Sequence, residues 1–128
     1  MNKTIEKFED LNCWKKSREL TNLIYEICEE GNLRRDYSTK DQIKRASLAI
    51  MNNIAEGFGR FSKKEFIRFL DIASASGMEV RSMLYILKDR KYIDEEMFDK
   101  LYEMSTHQSN MTLSLIKYLK NKLNEESK

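Results

Sequence analysis

From Phe66 to Leu87, apolar side chains recur every seven residues, at Phe66, Ala73, Val80 and Leu87, with Leu70, Gly77 and Leu84 filling the intervals. Steps of four and three residues keep such a stripe on one side of an α-helix, whereas a strand would scatter it over both faces. A helix of this length, expected from about Lys63 to Arg90, needs other helices to cover its stripe. The chain can supply them, because its 128 residues include no proline and only four glycines, the two residues most damaging to a helix interior.

Boundary signals divide the rest into three more helices. The first is expected from near Leu11, capped by Asp10, with Trp14, Leu20, Ile24, Ile27 and Cys28 on its apolar side and Gly31-Asn32 at its end. After a connection over residues 33–38, Thr39 and Gln42 have capping-box spacing. A second helix then runs to about Phe58 through Ile43, Ser47, Ile50, Ile54 and Gly57, closed by Gly57 and Gly59. Ser62 and Glu65 form another capping box at the start of the striped helix, and Phe61 and Phe66 are spaced as a hydrophobic staple. Asp94 caps a fourth helix, favoured by Glu95 and Glu96 in its first turn, whose seam reads Met97, Leu101, Met104, Gln108, Met111, Leu115 and Tyr118. Residues 1–9 and 124–128 are expected to be loosely ordered. Short connections require antiparallel neighbours, so the fold class is all-α: a single domain over residues 1–128 forming an up-down-up-down four-helix bundle.

Catalytic chemistry lacks parts. His107 is the only histidine, and the chain contains no Cys-x-x-Cys, no Glu-x-x-His and no phosphate-binding glycine loop. Neither a metal site nor a cofactor is therefore expected, and the reading is non-enzymatic. Gly57-Phe58-Gly59-Arg60 has no preceding strand and fits helix capping better than phosphate binding. Glu56 stands four residues before Arg60, spacing suited to a helical ion pair, beside the polar Asn52 and Asn53. Met97, Met104 and Met111 have core spacing. Cys13 and Cys28 on one helix would lie roughly 22 Å apart, beyond disulfide reach, which suits reduced thiols. No apolar run approaches the roughly 18 residues of a membrane span, and no signal peptide is evident, so a cytoplasmic location is expected.

Charge is unevenly spread. Between Arg34 and Arg68 there are nine basic residues against four acidic ones, a local net of +5 within a chain of net +2. Lys40, Lys44, Arg45, Arg60, Lys63, Lys64 and Arg68 are the candidate nucleic-acid-binding residues of this segment. A solvated surface explains them equally well. On the striped helix, Ile67, Ala75, Met78 and Tyr85 remain outside the core positions, an apolar surplus that suggests a subunit interface and a homo-oligomer.

The stretch Gln42-Ile43-Lys44-Arg45-Ala46-Ser47, continuing through Asn53-Ile54-Ala55-Glu56-Gly57, Arg60, Ser62, Glu65-Phe66 and Phe69-Leu70, resembles the signature of the bacterial 23S rRNA intervening-sequence proteins, also called the S23 family. Phe8, Asp10-Leu11 and Trp14 resemble its opening. The resemblance implies a four-helix bundle assembled as a homopentamer, in a family whose members can be encoded within insertions in rRNA genes. It implies RNA or DNA as a partner. The alternative is a protein-interaction scaffold with no direct nucleic-acid contact, since relatives of similar fold are accessory subunits of retroelement reverse transcriptases. One departure stands out: Ile72-Ala73-Ser74 continues into Ala75-Ser76 where the family usually has Gly-Ser, with Gly77 one residue beyond, so helix packing there is expected to differ.

Overall fold

Three of the four helices start at a side chain that closes a free backbone N–H of the first turn. Asp36 accepts from the Thr39 N–H at 3.1 Å, Ser62 from Glu65 at 3.3 Å and Asp94 from Met97 at 2.8 Å. The structure, a computed structural model, describes residues 5–127. The helices are α1 (Asn12–Cys28), α2 (Tyr37–Phe58), α3 (Lys63–Asp89) and α4 (Glu95–Glu126), with short 3₁₀ turns at Phe8–Asp10 and Gly31–Arg35 and no strand among the described residues.

Contacts between successive helices run in opposite senses. Lys63 at the start of α3 meets Glu126 at the end of α4, while Lys88 and Glu95 meet at the other end. Gly57 lies against Phe69 and Phe66, while Gln42 reaches Glu79. The Thr21 hydroxyl donates to the Ser47 carbonyl, and Gln108 donates to the Cys13 carbonyl, which closes α4 onto α1. Each helix therefore packs on two neighbours in an antiparallel ring. Leu20, Ile24, Ile43, Ile50, Ile54, Leu70, Val80, Leu84, Leu87 and Leu101 are fully enclosed at its centre.

Several boundaries differ from the sequence expectation. Leu11, not Asp10, occupies the position before α1, and Asp10 ends the 3₁₀ turn whose Phe8 packs edge-on against Trp14. Thus part of the segment expected to be loose is built into the bundle's end; residues 1–4 lie outside the described ones. Helix α1 stops at Cys28, before Gly31, which takes φ +53 to open the next turn. Helix α2 begins before Thr39 because Asp36 wins the capping role: its other carboxylate oxygen accepts from the Tyr92 hydroxyl at 2.8 Å. The last helix also differs: it continues to Glu126, through most of the segment expected to fray, although residues 124–126 are exposed.

The seam of α4 is rotated from the expected one. Leu101 and Gln108 are enclosed as expected, but the remaining buried positions are Phe98, Ser105, Ser109, Thr112, Ile116 and Leu119. Met97, Met104, Met111 and Leu115 sit half-buried at its edge, and Tyr118 is exposed. The buried polar groups are tied together. Gln108 donates to Thr112 Oγ1 at 2.8 Å, and Arg81 Nη1 on α3 donates to Ser109 Oγ at 2.7 Å and to Ser105 Oγ at 3.2 Å. Gly77 permits this layer, since a Cβ there would stand 3.1 Å from Ser109 Oγ.

Gly57 is a packing residue rather than the cap expected of it. It is buried inside α2, and a Cβ would lie 2.7 Å from the Cβ of Phe69, an atom that cannot swing aside. Gly57→Ala should therefore lower the urea midpoint, because overpacking costs about 1–3 kcal/mol against a helix-propensity gain of about 1 kcal/mol. Gly59→Ala is the control: it has φ −72 and ordinary 3.5 Å clearance, so its midpoint should hold or rise. Equal behaviour of the two variants would contradict the packing role.

The Asp36 tie gives a pH dependence. The Tyr92 hydroxyl, and then the Thr39 N–H, hold its carboxyl below the usual carboxylate range. A depressed folded-state pKa stabilises above the unfolded value, near 3.9, and that contribution disappears as pH falls through the folded pKa. Tyr92→Phe should lower stability at neutral pH, with a deficit that shrinks as urea titrations are repeated from about pH 5 downward. A deficit that does not change over that range would mean the hydroxyl acts by something other than this carboxylate.

Candidate nucleic-acid interface

Helix α2 spans 22 residues, about 33 Å at 1.5 Å per residue, and this length separates the candidate basic residues into two groups. Lys40, Lys44 and Arg45 lie in its first half, whereas Arg60, Lys63, Lys64 and Arg68 lie beyond its far end. The segment that is one patch in sequence is two in space.

The first group is largely committed to its own surroundings. Lys40 donates to the Arg34 carbonyl at 3.1 Å and lies over the Tyr37 ring. Lys44 pairs with Glu29 at 3.6 Å over the Tyr25 ring. Arg45 is exposed and lines a shallow groove with Gln42, Asn52 and Glu79.

The second group converges on the corner between α2 and α3. Arg60 pairs with Glu56 at 3.0 Å, as the spacing predicts, and Arg68 grips Glu65 through two hydrogen bonds of 3.0 and 3.3 Å. Those bonds hold the Glu65 carboxyl below its usual range and push the Arg68 guanidinium further up. The two guanidiniums also flank one ring, with Arg60 5.2 Å and Arg68 4.6 Å from the centre of Phe69. Lys63 reaches across to Glu126 at 2.7 Å. Lys64 is exposed and has no acidic partner among the described residues.

Sequence reading missed the contribution of α4. Its last turns carry Lys117, Lys120 and Lys122, and the Lys63–Glu126 contact sets them at the same end of the bundle. Lys122 pairs with Glu125 at 3.5 Å, while Lys117 and Lys120 are exposed and unpaired among the described residues. The signal was available in the antiparallel order, which brings the end of the fourth helix to the start of the third.

Phe61 does not form the expected staple. Phe58 takes that place, packing edge-on against Phe66 at 5.9 Å, and Phe61 stands 92% exposed with φ +55. Gly59 and Arg60 turn the chain so that the ring stands outward.

The apolar surplus on α3 is present in part. Met78 is 65% and Tyr85 47% exposed, and Ala75 is exposed, whereas Ile67 is half-buried against the core. Tyr85 packs edge-on against Phe98 and Tyr102, which extends this strip onto α4; its hydrogen bond with Tyr102 raises its pKa. His107 is exposed in an open groove of about 720 Å³ between α1 and α4, among side chains of both signs. Among the described residues no three metal-ligating side chains cluster. Among the described residues no helix is long and apolar enough to cross a membrane. Cys13 and Cys28 are buried and unpaired, with burial pushing both thiols up to about 11, so neither offers a thiolate at neutral pH.

The sequence pattern of the 23S rRNA-intervening sequence proteins matches residues 9–114. A crystal structure of a protein of unknown function from the S23 ribosomal protein family of Bacteroides thetaiotaomicron VPI-5482 superposes with a TM-score of 0.74 at 28% identity. That match covers 82% of this chain and 95% of the other. No functionally curated protein gives a significant match.

Proposed function

This chain belongs to the 23S rRNA-intervening sequence protein family, and on that footing we propose that it is a non-enzymatic, cytoplasmic, oligomeric bundle that binds structured RNA. The observation that carries the reading is the cationic end where α2, α3 and α4 meet. Arg60, Lys63, Lys64, Arg68, Lys117, Lys120 and Lys122 gather there against Glu56, Glu65, Glu125 and Glu126, with Glu9 and Asp10 of the first 3₁₀ turn packed at the same end. The positive end of the α3 dipole lies there too, opposed by the negative ends of α2 and α4, so the field comes from the side chains. Its exposed ion pairs are worth little individually, so a phosphate can replace a carboxylate at small cost.

Met78, Tyr85 and Ala75 support assembly, since a strip of exposed apolar residues along one helix is suited to a second copy. Repetition of the chain would then repeat the cationic end around an axis. A pentamer accords with the family resemblance.

Two experiments test the reading. Replacing Arg60, Lys63, Lys64 and Arg68 with Gln should weaken binding of a structured RNA at least about tenfold and flatten its dependence on salt, because fewer counterions are released. Replacing Lys40, Lys44 and Arg45 with Gln should do much less. Equal losses from the two sets would mean diffuse attraction, and no binding by the wild-type protein at low salt would favour a protein partner. Separately, Met78→Glu with Tyr85→Glu should dissociate the assembly in light scattering while circular dichroism stays helical, since a carboxylate is costly only when buried. A wild-type protein that runs as a monomer at micromolar concentration would remove the oligomer from the proposal.

A further inference from the structure

The corner between α2 and α3 carries a side chain that the bundle does not use. Phe61 is 92% exposed, so its ring contributes almost nothing to burial. Its backbone has φ +55, a region that bulky residues adopt only under strain. Glycine would fit the same turn without that strain, and the staple role is already filled by Phe58 against Phe66. Neither local conformation nor packing accounts for a phenyl ring at this place.

Its surroundings supply a chemical use. Arg60 precedes it and Lys63 and Lys64 follow two and three residues on, with Lys64 free of any acidic partner among the described residues. An exposed aromatic ring flanked along the chain by cations, here held only by exposed ion pairs or unpaired, suits an unpaired nucleobase: the ring stacks on the base while the cations meet the adjoining phosphates. A base inside a duplex is already stacked on its neighbours and offers no free face.

The geometry points to Phe61 as a stacking platform for one unpaired base of RNA, with Arg60, Lys63 and Lys64 holding the phosphates beside it. This rests on the nucleic-acid reading above and narrows its ligand to RNA containing single-stranded nucleotides in a loop, bulge or end. The rival occupant is a second protein chain, with Phe61 as an anchor.

The test compares a short labelled single-stranded RNA of mixed sequence with the same strand annealed to its complement, using fluorescence anisotropy at low salt. Phe61→Ala should weaken single-strand binding at least about fivefold, the lower range for loss of one base–aromatic stack, and leave duplex binding nearly unchanged. Phe61→Trp should retain single-strand binding, whereas Phe61→Leu, apolar but without a π face, should behave like the alanine variant. Because the ring is exposed, all three should keep the wild-type circular dichroism spectrum. Unchanged single-strand affinity in Phe61→Ala overturns the inference while leaving the proposed function intact, provided the four-residue Gln variant still loses binding. Loss of mass in light scattering on Phe61→Ala overturns it in favour of the protein anchor. Absence of wild-type binding to either RNA removes both readings together.

Discussion

Where α2 ends against α3, Gly57 stands so close to Phe69 that a Cβ would come within 2.7 Å of its Cβ. That approach seats the last turn of one helix on the first turns of the next and leaves only residues 59–62 to reverse the chain. Within that reversal Phe61 takes the left-handed conformation. The same approach positions the Phe69 ring so that Arg60, in the turn after α2, and Arg68, on α3, can both lie over it. The paired guanidiniums over Phe69 and the outward ring of Phe61 thus lie at the corner that this close approach makes.

The charges at this end pull in two directions. Arg60, Lys63, Arg68 and Lys122 each have a carboxylate within ion-pair distance, which lowers the field that a distant anion feels. Yet each pair is solvent-exposed, and exposed pairs hold their partners weakly. Such an end can be locally ordered without nucleic acid and still yield its cations to phosphates. The effective charge offered to RNA is therefore smaller than the number of lysines and arginines, and binding should respond to salt less steeply than that number suggests. At the opposite end, Lys44 is covered by Glu29 and Tyr25, and its ammonium is more occupied in holding α1 to α2.

Features set by neighbouring residues were legible from the sequence. The caps at Ser62 and Asp94 need only a side chain and an N–H three residues on, so their spacing identifies them. Asp36 was missed because its advantage over Thr39 comes from Tyr92, in the α3–α4 connection far along the chain. The α4 seam was rotated for a related reason: Ser105, Ser109 and Thr112 are polar, and only Arg81 and Gly77 on the facing α3, with Gln108 one turn before Thr112, make them suitable core residues. At the candidate site, residue types and the Glu56–Arg60 pair were readable. The division of the basic segment between two ends, the arrival of Lys117 and Lys120, and the exposure of Phe61 required the path of the chain.

Strain and exposure at Phe61 also bear on how a weak contact could become useful. One stacked base is worth about 1–3 kcal/mol, too little for stable binding by a single chain. A symmetric assembly changes that arithmetic, because after one copy binds, the next platform meets the same RNA at an effective concentration set by the spacing between copies. The apolar strip at Met78 and Tyr85 lies on α3 beyond the turns that begin beside Phe61. Copies joined along that strip would leave the α2–α3 corner outside the joint and present it repeatedly. An RNA with several accessible unpaired segments would then be favoured over a uniform duplex of the same charge, even though each platform reads little base identity.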